Sequence, residues 1–295
     1  MKYTLLSSYL KNKYGKKYYK LSLSCSTTCP NRDGLCGDKG CIFCSSKGSG
    51  DFAQNVLLPV DKQIERAKEL VKAKSDDNKY IAYFQAFTST YGDFEYLRNV
   101  FYETIKRDDI AILSIATRPD CLGDEIIKLL EELNKNKPVW VELGLQTIHE
   151  SSAVYIRRGY NTNVYFEAVK KLHAIGVHVI THIIVGLPFE TKDMIVETAR
   201  AVGKVTDGVK LQLLHILKGT DLATNFEKGE FDLLSLEEYA DIICECINAM
   251  PENIVIHRLT GDGDKNTLIA PLWTRDKKRV LNYINHKIAV FERTI

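Results

Sequence analysis

Five of the eight cysteines fall within one stretch of twenty residues: Cys25, Cys29, Cys36, Cys41 and Cys44. Thiolate sulfur binds soft metals, cradles iron–sulfur clusters and exchanges disulfides. Pro30, Gly34, Gly37 and Gly40 lie among these cysteines and make the segment a loop, since neither residue type suits a helix or strand interior. Such a loop suits a metal or cluster cradle, a disulfide knot, or a redox site. Cys41-x-x-Cys44 with one upstream thiol would hold three irons of a [4Fe–4S] cluster and leave the fourth to a substrate or cofactor. The upstream thiol is Cys29, in C-x11-C-x2-C, or Cys36, in C-x4-C-x2-C, or Cys25. Spacing alone does not choose among them. A four-cysteine zinc site drawn from Cys25 or Cys29 with Cys36, Cys41 and Cys44 is the rival.

The rest of the chain must position this loop. Its 295 residues suffice for one large α/β domain or two small ones. Hydrophobic residues make up 45% of the sequence, which supports a substantial core and argues against disorder. No apolar run is long enough to cross a bilayer. Residues 1–6 lead to no signal-peptide apolar core before Lys11. A cytoplasmic location and no membrane partner are therefore expected, and reduced thiols there favour metal or redox chemistry over disulfides. A net charge of +2 neither requires nor excludes a nucleic-acid partner.

Residues 1–18 interleave five lysines (Lys2, Lys11, Lys13, Lys16, Lys17) with Tyr3, Tyr9, Tyr14 and Tyr18. They read as a solvated, partly helical lead-in, with an RNA or phosphate contact surface as the alternative. Alternation or apolar runs predict strands over 19–24, 80–84, 111–115, 139–143, 177–185, 209–214 and 254–256. Helical spacing predicts helices over 62–74, 94–106, 124–134, 164–175, 192–202 and 236–250. In the first of these Ile64, Ala67, Leu70 and Val71 share a face; in the third Ile126, Ile127, Leu130 and Leu133 point inward. Asp76-Asp77-Asn78 reads as a turn. Seven strands alternating with helices form the βα repeat of a parallel sheet. The expected fold is α/β, a partial (β/α)6 TIM-type barrel over 1–214, with 215–295 as a C-terminal extension that closes it.

Unusual residues gather just after the strands: the cysteine loop, the segment 85–92, Thr117-Arg118-Pro119-Asp120-Cys121, Gly144-Leu145-Gln146-Thr147, Gly186-Leu187-Pro188, and the surroundings of Gln212, His215 and Lys218-Gly219-Thr220. In a parallel α/β barrel these loops share the C-terminal rim, where active sites are built. The bland reading, that loops are merely polar, explains any one of them better than all six together.

Cys29-Pro30-Asn31-Arg32-Asp33-Gly34, followed by Gly40-Cys41-Ile42-Phe43-Cys44, resembles the cluster loop of radical S-adenosylmethionine (SAM) proteins, and most nearly that of the YhcC-like group related to the catalytic subunit of Elongator. Thr117-Arg118-Pro119-Asp120, Glu142-Leu143-Gly144-Leu145-Gln146, Arg157-Arg158-Gly159, Gly186-Leu187-Pro188 and Arg258-Leu259-Thr260-Gly261-Asp262 resemble further motifs of that group, in order, so the likeness spans most of the chain. It implies that Cys29, Cys41 and Cys44 ligate a [4Fe–4S] cluster and that SAM is the second cofactor. It places Phe43 beside the adenine, residues 85–88, with Gln85 and Thr88, at the SAM amino group, and Gln146 and Arg158 at the ribose and carboxylate. Thr117 joins them on the cofactor wall. The implied activity is reductive cleavage of SAM to a 5′-deoxyadenosyl radical that abstracts hydrogen from substrate. A low-potential electron donor such as flavodoxin or ferredoxin is the implied partner, and tRNA the implied substrate class, with a peptide or small metabolite as alternatives. No acetyltransferase-like second domain is expected. Two features depart from the pattern. Ala116 occupies a position that is acidic in some relatives, and Cys25 and Cys36 are extra thiols. A zinc-stabilised α/β protein that binds nucleic acid or another ligand without redox catalysis is the alternative function.

Glu142 lies in an apolar strand and needs a partner if buried. It is read as catalytic, facing SAM or substrate, against a buried pair with a barrel lysine or arginine. Lys210 invites the same comparison. His182 is likewise read as catalytic, against a satisfied core histidine. Cys244 and Cys246 lie two apart on a helix and do not face one another.

Overall fold

The structure, a computed structural model, describes residues 3–48, 50–74 and 78–293. A two-residue strand, β1 (Thr4–Leu5), leads into α1 (Leu6–Tyr14) and β2 (Tyr19–Leu23). Alternation then runs through α2 (Val60–Val71), β3 (Tyr80–Phe84), α3 (Phe94–Lys106), β4 (Ile110–Thr117), α4 (Asp124–Asn134) and β5 (Val139–Gln146). It continues through α5 (Glu150–Tyr155), α6 (Thr162–Ala174), β6 (His178–Val185), α7 (Lys192–Gly203) and β7 (Gly208–Leu213). The last part holds β8 (Ile216–Leu217), α8 (Asp221–Glu227), α9 (Leu236–Ala249), β9 (Val255–Arg258), β10 (Leu268–Ala270) and α10 (Lys277–Phe291).

Eight strands form one sheet in the order β1-β9-β7-β6-β5-β4-β3-β2, with every neighbouring pair parallel. Parallel neighbours need crossovers, and the helices between consecutive strands supply them. The fold is the α/β partial TIM-type barrel. β8 and β10 make a separate antiparallel pair. β1 and β2 are consecutive in the chain yet sit at opposite edges of the sheet, so α1 spans from one edge to the other. Its Leu10, 1% exposed, packs with Ile81, Ile112, Trp140 and Ile180. These residues come from β3, β4, β5 and β6, so α1 plugs the curled sheet at the N-terminal ends of its strands.

Strand alternation sorts side chains into two faces. Tyr80, Ala82 and Phe84, Val139, Val141 and Leu143, and Val209 and Leu211 join the main core under the helices. The opposite positions face inward in levels. The lowest is the apolar plug. Above it stand Tyr83, Ser114, Glu142, His182 and Lys210, and above those Gln85, Ala116, Gly144, Ile184 and Gln212.

Three expectations are corrected. Leu70 is 71% exposed, and the buried face of α2 is Val60, Gln63, Ile64 and Ala67; the helix begins two residues earlier than the sequence suggests, directly after Pro59. In α4 Leu129 is buried and Ile127 only partly so. Residues 3–18 are partly helical and expose Lys11, Lys13, Lys16 and Lys17 as expected, but they are more than a solvated lead-in, because β1 extends the sheet and Leu10 enters the plug. A two-residue strand is too short to show a period. The turn expected at Asp76-Asp77-Asn78 lies, for its first two residues, outside the described residues. Among the described residues no helix is long and apolar enough to cross a membrane.

Candidate active site

The cysteine loop leaves the end of β2 and is pinned at once. Gln63 of α2 accepts from the Ser24 backbone N–H at 2.8 Å and donates to the Ser24 carbonyl at 3.0 Å. This buried amide satisfies backbone groups that would otherwise be stranded under the loop. Cys25 then turns inward, its thiol 3.8 Å from the Ser89 carbonyl, and burial pushes it up to about 11. Cys36 is exposed.

Asn31 ties the loop together. Its Nδ2 donates to the carbonyls of Arg157 and Arg158 at 2.6 and 3.1 Å and approaches Cys41 Sγ at 3.4 Å. Gly159 (φ +81°) lies against it, and a Cβ there would sit on Asn31 Oδ1. Arg32 donates to the carbonyls of Cys44 and Ser45 at 3.1 and 2.7 Å. In the Cys41–Cys44 turn, Ile42 is buried with Ile156, Ile184, Leu187, Leu214 and Leu222. Ile42 docks the turn on the barrel rim while Phe43 lines the cavity beside it.

That cavity, of about 280 Å³, is where the sequence-derived candidates meet. Cys29, Cys41, Cys44, Phe43, Gln85, Thr88, Thr117, Glu142, Gln146, Arg158 and His182 all line it; Cys25, Cys36 and Cys121 do not. Burial, with Cys44 and Cys29 close by, pushes the Cys41 thiol up to about 12, so it ionises only against a strong cation. Among the described residues no three His, Cys, Asp or Glu side chains converge closely enough to hold a single metal ion. Three thiols on one cavity fit a cluster that takes one thiolate at each of three irons and leaves the fourth open.

The segment 85–88 braces the loop: Gln85 N–H donates to the Leu23 carbonyl at 3.3 Å, Phe87 N–H to Gly48 at 2.8 Å, and Thr88 N–H to Thr28 at 3.2 Å. Thr117 shares a hydrogen bond with Thr90 at 2.5 Å. Phe87 and Gln146 hold φ values of +53° and +68°, which cost side-chain-bearing residues about 1–3 kcal/mol each and cluster at functional sites. Gln146 packs over Gly144, its amide placed to donate to the Gly144 and Leu145 carbonyls at 3.0 and 2.8 Å.

Arg158 is placed differently from the expectation. It is 2% exposed, and its guanidinium donates to the carbonyls of Tyr160, Leu145 and Thr147 and to the Thr162 hydroxyl, with Glu150 at 3.5 Å. A guanidinium has five N–H groups, and here they are committed. Arg158 therefore stiffens the wall and has no free fork for a carboxylate. Arg118 forms a bidentate pair with Asp120 at 2.9 and 2.6 Å and donates to the Arg158 carbonyl. The Tyr160 ring contacts both guanidinium groups.

Glu142 is the hub of the floor, fully buried. It accepts from Lys20 at 2.6 Å, Ser114 at 2.8 Å and His182 at 2.8 Å, and pairs with Lys210. Burial alone would push its carboxyl up. The Lys20 and Lys210 charges and the His182 bond override that and hold it well below the usual carboxylate range. Burial, with Lys210 beside it, brings His182 down to about 4, so the imidazole is neutral near pH 7. Lys210 donates to Tyr83 at 3.0 Å. Both readings of Glu142 thus meet in one residue: it lines the cavity and it is a buried pair. Lys20, Tyr83, Asn31 and Tyr160 escaped sequence reasoning. Lys20 carried one signal, an inward-facing position opposite Leu21 and Leu23 in an alternating strand.

Comparison with known proteins identifies the family of the chain. Residues 23–202 match the family model described as radical SAM superfamily, and residues 206–289 the radical SAM C-terminal domain. The chain is 44% identical to the uncharacterized protein YtqA of Bacillus subtilis (strain 168), over 97% of this chain and 89% of that protein. It is 36% identical to protein YhcC of Escherichia coli (strain K12), over 91% and 86%. A tRNA uridine(34) acetyltransferase of Methanocaldococcus jannaschii is 27% identical over 51% of this chain, which spans only 28% of that longer protein. Among solved structures, the archaeal Methanocaldococcus infernus Elp3 superposes with a TM-score of 0.66 at 18% identity, covering 92% of this chain and 63% of that one. That likeness shows the fold. The chain belongs to the radical SAM superfamily, in its YhcC-like group related to Elp3, and its cofactors are those of the family, a [4Fe–4S] cluster and SAM.

Proposed function

We propose that this enzyme cleaves SAM reductively in the cavity described and abstracts hydrogen from a substrate seated over the Glu142 floor. The observation that carries the reading is the meeting of three thiols (Cys29, Cys41 and Cys44) with Phe43, Gln85, Thr88, Thr117 and Gln146 around one cavity that Glu142, His182 and Lys210 also line. A reduced cluster with SAM bound supplies a carbon radical at the 5′ position of the deoxyadenosyl fragment. Cys29, Cys41 and Cys44 would hold the cluster. Phe43 would pack on the adenine, and Gln85, Thr88, Thr117 and Gln146 would orient SAM through hydrogen bonds. Phe43, Phe52 and Phe87 give the chamber apolar surface that keeps stray donors out. Glu142 and His182 act by holding the floor's charges in place, since each is already hydrogen-bonded to the other.

Residues 1–214 form the catalytic core and 215–295 close it, β9 joining β7 within the same sheet. The substrate is tRNA: the partial match to a tRNA uridine(34) acetyltransferase supports it. The electron donor is a low-potential flavodoxin or ferredoxin. The test is electron paramagnetic resonance of the dithionite-reduced, anaerobically reconstituted enzyme. SAM should change the cluster signal, and Cys29→Ala should abolish it; a signal indifferent to SAM contradicts the reading. Titration with tRNA should give binding that weakens steeply with salt, and salt-independent or absent binding would move the substrate to a small molecule.

A further inference from the structure

We propose that the cavity floor is an oxyanion site that takes a carboxylate or phosphate group of the substrate on Arg258 and Lys210. The inference rests on reading this cavity as the reaction chamber and names the class of molecule that enters it. Charge on the floor does not balance. Glu142 is shared by two ammonium groups, Lys20 at 2.6 Å and Lys210. Arg258 stands next to Lys210 in the β7–β9 register and lines the same cavity as a third cation, with Glu142 already shared by the two lysines. Among the described residues its guanidinium donates no hydrogen bond, and its one ion-pair contact is 3.9 Å from Asp262. Asp262 is itself taken at 2.6 Å by Lys277. His215 lines the wall nearby, and its buried Nε2 has no partner.

Lys210 is 4% exposed while Arg258 keeps 37% of its side chain in solvent, so the cost of unpaired charge falls on the buried lysine. The cost is visible at Lys210: burial drives its ammonium well below the lysine range, Glu142 opposes this, and repulsion from Lys20 and Arg258 adds to it. A guanidinium with an uncommitted fork matches an oxyanion bidentately, and a lysine beside it adds a point charge. One negative group bound there would balance Arg258, relieve Lys210 and hold the substrate by an end remote from the reacting carbon.

The test is calorimetric titration of the anaerobically reconstituted enzyme, with inorganic phosphate in one arm and acetate in the other. At least one arm should saturate, and the arm that does so distinguishes a phosphate from a carboxylate. Arg258→Gln should weaken that binding by about tenfold or more. Lys171→Gln, which removes an exposed charge on α6, should leave it unchanged. Lys210→Met should weaken it too, but it also strips Glu142 of a partner, so Arg258→Gln carries the decision. No saturation in either arm, equal affinity in Arg258→Gln, or an equal loss in Lys171→Gln overturns the site. The 5′-deoxyadenosine formed with dithionite and SAM is measured on the same wild-type preparation. Arg258-dependent binding without that product overturns the radical reading alone, and product with Arg258-independent binding overturns the anion site alone.

Discussion

Gly159 sits where a side chain has no room. Its φ of +81° belongs to the left-handed region, and a Cβ would collide with Asn31 Oδ1, the residue that bridges Cys41 to the Arg157 and Arg158 carbonyls. Gly159→Ala should therefore cost about 1–3 kcal/mol of strain and displace Asn31 from Cys41. Iron per chain after anaerobic reconstitution should fall below wild type; full iron content would show that Asn31 does not set the loop. At this scale residue type was legible and commitment was not. The thiols, Gln146 and Glu142 stand out because each is unusual for its place in the chain. That Arg158 spends its donors on backbone carbonyls depends on a turn between α5 and α6 that no sequence period announces. Asn31 carries no spacing signal either, since its partners are 126 and 127 residues away.

Among the elements, α1 has the most to do for its length. Nine residues join the two edges of the sheet and plug the barrel with Leu10. Leu10→Ala should destabilise the protein by about 2–5 kcal/mol, as for other fully buried leucines, read from the midpoint of urea unfolding. A loss within the range of surface substitutions would mean that the plug is not packed. Longer elements were readable because a hydrophobic seam runs their length. α3 and α4 begin and end where the periodicity places them, and Asp93 caps α3 by accepting from the Tyr96 N–H. β1, α5 and α8 are too short for a period to develop. α2 shows a different failure, because a buried Gln63 replaces the expected Leu70 on its inner face, and its reason to be there is the Ser24 backbone across the interface.

For the whole molecule, a parallel curled sheet gathers strand ends, and that topology was legible from alternation alone. The pairing of charges inside it was not. Lys20 and Glu142 are 122 residues apart and meet only because the sheet curls. This buried floor gives the protein an acid sensitivity whose sign can be worked out. His182 titrates in the unfolded chain near 6.5 and in the fold at about 4. Between those values the unfolded chain binds more protons, so stability falls as pH drops through this window. His215, brought down to about 4 by burial, acts in the same direction. So does Glu142, whose carboxyl is held low in the fold and whose contribution is lost at still lower pH. The melting temperature should decline from about pH 6.5 downward, and His182→Gln should flatten part of that decline. An unchanged slope would mean that His182 is solvated.

The central claim concerns chemistry at the three-thiol wall, and the most direct measurement is product formation. Anaerobically reconstituted enzyme is given dithionite and SAM, and 5′-deoxyadenosine is followed by chromatography, beside a variant carrying Cys41→Ala and Cys44→Ala. The account predicts product from wild type and none from the variant. An iron-loaded wild type that forms no product, or a variant that forms as much, would contradict it.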